Sequence, residues 1–168
     1  MLSSDEIKEA LDIYGDSLYR LCLIMLQNTA DAEDAVQETF IKYMMNSPKF
    51  EDEGKKKAWL TAVAANKCRD MLRFRKRHAT ESDELLQNYA MDNESTGILD
   101  ALMEIPEKYR IVMTLHYVEG YKVREIAKML NKSESAIKMR LSRGRSLLEE
   151  KYRKEYLSYE RQQNKVIG

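Results

Sequence analysis

Apolar residues return at three- and four-residue steps along most of this chain, and no stretch alternates at steps of two. From Ser3 to Leu26 the returning positions are Ile7, Leu11, Tyr14, Leu18, Leu21, Cys22 and Met25, which predict one buried stripe of a first helix. Ser3 followed by Glu6 fits a capping box at its start. Asn28 and Thr29 break the pattern, and a second helix is predicted from Ala30 to Met45. Its apolar face is Ala32, Ala35, Val36, Phe40 and Tyr43; its other face carries Asp31, Glu33, Asp34 and Glu38. Asn46-Ser47-Pro48 ends it, and a loop continues to Gly54. A third helix spans Lys55 to Arg77, with Trp59, Ala62, Val63, Asn66 and Met71 turned partly inward.

Residues 78–94 carry no clear period and are rich in Glu, Asp, Ser and Asn, with at most a nascent turn at Leu85-Leu86. They read as a flexible linker. Beyond it, helices are predicted over Ser95–Met103, from Pro106 to near Tyr117, over Lys122–Leu130 and over Ser133–Lys154, with a turn at Gly120. The last dozen residues are expected to fray. The expected fold is therefore all-α: two small helical domains joined by an acidic flexible linker. The boundaries are 1–78, a linker over 79–95, 96–157, and a tail over 158–168.

Residues 123–142 have helix-turn-helix spacing. Ile126, Ala127 and Leu130 suit the buried side of a first helix, and Ala127 is small where two helices cross. Asn131 occupies the turn, where tolerance of positive φ is useful, and Ser133 can cap the second helix. Ile137, Leu141, Gly144 and Leu148 then form its inner stripe. At about 100° per residue from Ile137, Ser135, Met139, Ser142 and Ser146 fall on the far side, at roughly 140–200°. Small polar residues there let a helix approach a groove. Lys138 and Arg140 flank the buried stripe, suited to phosphate walls, and Arg143 or Lys138 is placed to reach base edges.

Charge sharpens this picture. The chain balances 28 basic against 28 acidic residues, but not locally. Residues 1–50 hold nine acids and four bases, and residues 51–77 hold nine bases and four acids. Residues 81–107 hold eight acids and no base, and residues 108–154 hold thirteen bases and five acids. Two basic blocks, each preceded by an acidic one, point to two nucleic-acid contacts on one chain.

Other chemistries are weakly represented. No apolar run approaches the ~20 residues of a membrane span, and no secretory leader opens the chain. Cys22 and Cys68 lie in separate apolar helical patterns and read as buried thiols, with no CxxC. His78 and His116 have no ligand-like spacing, so neither a metal nor another cofactor is expected. No phosphate loop or nucleophile–base pattern suggests an enzyme. A cytoplasmic location is the default.

The stretch "IPEKYRIVMTLHYVEG" followed by "REIAKMLNKSESAIKMRLSRGR" resembles region four of sigma-70-family transcription initiation factors. "TADAEDAVQETFIKYM" resembles the polymerase-binding helix of their region two, and "KAWLTAVAANKCRDMLRFRKRH" its promoter-melting helix. Order and spacing agree across about 150 residues. With no segment for the additional regions of housekeeping sigma factors, the chain resembles the two-domain extracytoplasmic-function group. The resemblance implies a monomer when free, with core RNA polymerase and promoter DNA as partners. Many relatives also have an anti-sigma factor.

By the same resemblance, Asp31, Glu33, Asp34, Gln37, Glu38 and Phe40 match the segment that docks on the clamp of the polymerase's largest subunit. An acidic face suits a basic partner. Lys67, Arg69, Arg73, Arg75, Lys76 and Arg77 are candidates for phosphates of the −10 element, and Asn66 and Asp70 for its bases. Phe50, in the loop Ser47–Gly54, either stacks on a flipped base or plugs the edge of the domain. Trp59 reads as core. Lys138, Met139, Ser142 and Arg143, with Ser135 beside them, match positions facing −35 bases; Lys122, Arg124, Arg140 and Arg145 suit phosphates. Ala136 and Met139 depart from the family's usual Thr and polar residue. The acidic linker is either a tether or an RNA-like segment threading the polymerase channels. The competing function is a stand-alone helix-turn-helix regulator acting on duplex DNA without polymerase.

Overall fold

The computed structural model describes residues 1–78 and 97–167, apart from a few side chains near the end of the last helix. The expected linker over 79–95, its nascent turn and the expected helix start at Ser95 lie outside the described residues. Every regular element among the described residues is helical. The chain divides into two compact units, Met1–Tyr89 and Ala90–Gly168.

The first unit is a three-helix assembly of α1 (Ser4–Leu26), α2 (Thr29–Asn46) and α3 (Glu53–Arg77), each packed on the other two. Ser3 forms the expected capping box: its hydroxyl accepts from Glu6 N–H at 3.2 Å, and its own N–H donates to the Glu6 carboxylate at 2.8 Å. Asn28 and Asp52 cap the next two helices. α2 therefore begins at Thr29, one residue before the expected Ala30, and α3 begins at Glu53, two residues before the expected Lys55. A side-chain oxygen that takes an orphan N–H starts a helix wherever the chain supplies one.

The buried stripe of α1 is Ala10, Tyr14, Leu18, Leu21, Cys22 and Met25, but Leu11 is exposed and Ile7 only half-buried. The last six residues, Leu21–Leu26, are buried on every side. The residues of α3 expected to turn partly inward do so, but they flank the fully buried face rather than form it. Leu60, Thr61, Ala64, Ala65, Cys68 and Leu72 are buried, whereas Trp59, Ala62, Val63, Asn66 and Met71 are half-buried flanks. Cys22 and Cys68, 46 positions apart in the chain, meet in this core. The hydrogen bond to Cys22, with burial, pushes the Cys68 thiol well up, so it stays protonated and inert.

In the second unit α4 (Gly97–Glu104) and α5 (Glu107–Met113) pack against α7 (Glu134–Ile167), and α6 (Val123–Leu130) completes the helix-turn-helix. Pro106 stands at the N-cap of α5. Buried Arg110 donates to the carbonyls of Met103 and Ile105, at 3.2 and 3.0 Å, and so fastens the corner between α4 and α5. α5 runs on into a single π-helical turn, Thr114–Val118, where Glu119 N–H reaches back five residues to Thr114 O at 3.0 Å. The Thr114 hydroxyl donates to Arg110 O at 2.7 Å at this junction. Gly120, at φ 78°, then reverses the chain so that Tyr121 N–H bonds Leu115 O at 3.0 Å.

Asn131 adopts the left-handed conformation in the turn, and the Ser133 hydroxyl accepts from Ala136 N–H at 3.1 Å. Ile126, Ala127, Leu130, Ile137, Leu141 and Gly144 are buried. A second close crossing lies at Gly144. A Cβ at Gly144 would come within 2.5 Å of Met113 Sδ and 3.3 Å of Tyr109 Cβ. The tail expected to fray is instead helical: α7 continues through 34 residues to Ile167. Residues 145–167 contain neither Gly nor Pro. Arg153–Glu149 and Lys154–Glu150 pair one turn apart, at 2.6 and 3.1 Å.

Candidate nucleic-acid interface

On α2 the acidic face is real but narrower than the sequence suggests. Glu33, Asp34, Gln37 and Glu38 are exposed. Phe40, expected to be the aromatic of this docking face, is a core residue with 4% of its surface exposed. It lies with Ala32 and Ala35 on the inner, buried side of the helix, where its ring is part of the core. Asp31 is half-buried, and its carboxylate is bound by the Arg75 guanidinium.

That pair also removes Arg75 from the cations free to hold DNA. Its other terminal nitrogen donates to Leu26 O at 2.8 Å, so it caps the end of α1 while holding the first turn of α2. The remaining cations of α3 divide into engaged and open groups. Lys67 lies 3.8 Å from Glu38 across the α2–α3 groove. Arg69 donates to Asn66 Oδ1 at 2.9 Å, while the Asn66 amide donates to Ala62 O at 2.8 Å. Arg73 and Asp70 are 3.5 Å apart and exposed. Lys76 and Arg77 are exposed in the last turn. The groove, about 420 Å³, is lined by Glu38, Ile41, Met45, Val63, Lys67 and Asp70 among others. It thus joins residues the sequence reading assigned to two separate partners.

Phe50 is half-buried. Its ring stacks on Tyr43, with centroids 6.4 Å apart, and tilts against Trp59 at 5.9 Å. These contacts hold Phe50 in the loop between α2 and α3, with part of the ring still open to solvent. Tyr14 fastens the start of α3: its hydroxyl donates to the Glu53 carboxylate. Burial and that hydrogen bond together push the Tyr14 phenol up to about 12.

In the second unit the side of α7 expected to face outward does so. Ser135, Lys138, Met139, Ser142 and Arg143 are exposed along one side of α7, opposite buried Ile137 and Leu141. Arg140 is half-buried, while Lys122, Arg124 and Arg145 are exposed. Sequence reasoning missed what holds two of these arginines. Arg143 hydrogen-bonds the Tyr109 hydroxyl. Burial raises that phenol's pKa, but the hydrogen bonds to Arg143 and to Lys108 outweigh it and leave the group lowered. Arg145 Nη1–H donates to Tyr117 Oη at 2.8 Å. Tyrosine hydroxyls 28 or more residues away leave no local signal in a helical pattern.

Among the described residues no group of three His, Cys, Asp or Glu could hold a metal ion, and no helix is long and apolar enough to cross a membrane.

Residues 11–78 match the Sigma-70 region 2 family model, and residues 96–157 match that of Sigma-70, region 4. The chain is 30% identical over 168 residues to the ECF RNA polymerase sigma factor SigW of Bacillus subtilis (strain 168), covering 89% of this chain and 90% of SigW. It is 33% identical over 155 residues to the ECF RNA polymerase sigma factor SigM of the same organism, covering 87% of this chain and 94% of SigM. Two solved structures share the fold at 23% identity. One is the sigma factor RpoE in complex with the anti-sigma factor NepR from Bartonella quintana, with TM-score 0.69 and coverage of 88% of this chain and 97% of that one. The other is CnrH in complex with the cytosolic domain of CnrY, with TM-score 0.62 and coverage of 88% and 87%. With its two halves matching regions 2 and 4 in order, the chain belongs to the sigma-70 family, in the extracytoplasmic-function group of RNA polymerase sigma factors.

Proposed function

We infer that this sigma factor joins core RNA polymerase in the cytoplasm and directs it to promoters, using its two units for two DNA elements. The observation that carries this reading is the exposed side of α7, where small polar residues and Met139 are flanked by Lys138 and Arg143 on a helix-turn-helix. Ser135, Lys138, Met139, Ser142 and Arg143 are assigned to −35 base edges. Met139 suits a thymine methyl. Lys122, Arg124, Arg140 and Arg145 are assigned to phosphates.

In the first unit the polymerase contact is assigned to Glu33, Asp34, Gln37 and Glu38. Phosphates of the −10 element are assigned to Lys67, Arg73, Lys76 and Arg77, with Arg69 orienting Asn66. Asn66 and Asp70 are the candidates for bases. Asp31, Phe40 and Arg75 support these surfaces from behind. Strand opening then needs no catalytic group on this chain: unpaired bases are held after they leave the stack, and phosphate neutralisation offsets part of the cost. A protein partner of the anti-sigma kind, as in the two solved neighbours, is also proposed for this chain.

The test is multi-round transcription by purified bacterial core polymerase on a pool of genomic fragments, with and without the protein. New discrete starts, preceded by a shared pair of spaced elements, are the expected result. No polymerase binding, together with a shift of duplex DNA by the protein alone, would replace this reading with a stand-alone regulator.

A further inference from the structure

We propose that Tyr117 and Arg145 together form a clamp for one DNA backbone phosphate, built on the π-helical turn. The proposal rests on the reading of the second unit as a promoter-binding domain, and it adds a residue that the helix-turn-helix pattern does not contain.

The argument starts from how the cations of the molecule are held. In the first unit Arg75, Arg73 and Lys67 each face a carboxylate. Arg145 differs: it donates to a neutral phenol, and among the described residues no carboxylate pairs with it. A neutral acceptor fixes the direction of a guanidinium without cancelling its charge. One of five N–H donors is spent and the others stay open for an anion. The phenol keeps a donor as well, since its oxygen accepts from Arg145 and its own O–H is left to point outward. Tyr117 is 54% exposed, and Arg145 is exposed beside it. The site therefore presents a full positive charge and two kinds of donor converging on one place, which is the recognition chemistry of a phosphate.

The clamp has a rigid base. Tyr117 lies in the π-helical turn, and its ring meets His116 edge-on, with centroids 4.8 Å apart. His116 is itself fixed, because its Nδ1–H donates to Tyr121 O at 2.7 Å. The reversal at Gly120 brings that carbonyl back. An α-helical continuation would carry Tyr117 round by a different angle. The extra residue of a π turn re-aims a side chain, as such turns do at functional sites. Arg145 sits two turns beyond Ile137, at roughly 80° on the wheel. It thus lies on the flank next to Lys138 and Ser142, where a groove wall would pass.

The test uses holoenzyme assembled from the full chain and core polymerase, with the strongest promoter fragment recovered from the genomic pool. Equilibrium binding is measured across a salt series for wild type, Tyr117→Phe, Arg145→Ala and the double variant, with thermal melts to check folding. The expected result is that Tyr117→Phe weakens binding about three- to tenfold. The loss should be equal for intact and altered −35 sequences, and it should vanish in the Arg145→Ala background. Arg145→Ala should lower the slope of log K against log salt by about one. If Tyr117→Phe binds as wild type, or costs as much with Arg145 absent as present, the clamp is wrong while the promoter-binding reading stands. If wild-type holoenzyme forms no promoter complex at all, both fall together.

Discussion

Arg75 of α3 binds the Asp31 carboxylate at the start of α2 and the Leu26 carbonyl at the end of α1, so one side chain ties all three helices of the first unit. A cation from a cluster that resembles a DNA-binding segment is thereby a structural clasp. Arg75→Ala is expected to lower the unfolding free energy of the first unit by about 2 kcal/mol, since it orphans a carboxylate and a helix-end carbonyl. Lys76→Ala, one residue on and exposed, should change it by less than about 0.5 kcal/mol. Urea denaturation of both variants checks the contrast.

The two ends of the acidic helix should separate in the same way. Phe40→Ala is expected to cost about 3–5 kcal/mol through the cavity it leaves, and to lose polymerase binding only because the unit unfolds. Reversing Glu33 and Asp34 to Lys should leave the melting curve in place and weaken binding to core polymerase at least tenfold, by like-charge contact with a basic partner. Fluorescence titration of core polymerase beside a thermal melt distinguishes them.

The Tyr14–Glu53 hydrogen bond predicts a pH signature at the alkaline end. A phenol pushed up to about 12 in the folded state, against about 10 unfolded, favours folding fully below pH 10. That contribution is lost as pH rises from 10 through 12. Tyr14→Phe should therefore be less stable than wild type at pH 8 and should show a shallower fall between pH 10 and 12. Equal slopes for the two proteins would remove the coupling.

Gly144 makes a fourth case. Alanine is the better helix former by about 1 kcal/mol, but its methyl would sit 2.5 Å from Met113 Sδ and close to Tyr109 Cβ. Met113 can flex; the tyrosine Cβ, fixed to its backbone, cannot. Overpacking of about 1–3 kcal/mol should win, so Gly144→Ala is expected to destabilise the second unit by about 1 kcal/mol. Since Tyr109 holds Arg143, the same change should also weaken DNA binding in protein that remains folded. Calorimetry and the salt series read the two effects.

These contrasts show where local pattern carries information. The capping box at Ser3, the left-handed Asn131 and the Ser133 cap follow from residues within four positions of one another, and the outer side of α7 from steps of one to three along one helix; each is legible in the sequence. The fully buried face of α3 is not. Alanines lie all round that helix, at 58, 62, 64 and 65, so hydrophobic contrast is too low to set its phase, and packing on α1 and α2 decides it. The engagement of Asp31 and Arg75, the phenols behind Arg143 and Arg145, and the meeting of Cys22 with Cys68 span long stretches of chain that periodicity does not connect. The continuation of α7 was underestimated because a polar helix looks like a tail when no apolar stripe marks it.

The uninterrupted course of α7 gives the surface proposed to read the promoter a handle. A helix of 34 residues is about 50 Å long, and Gln162 lies roughly 40 Å along it from Ile137. Any tilt of the reading end sweeps the far end through a proportionally wider arc. A fluorophore or spin label at exposed Gln162 would report the angle at which the protein enters the groove without touching the DNA contacts. A partner that grips those last turns would gain leverage over that angle from a distance.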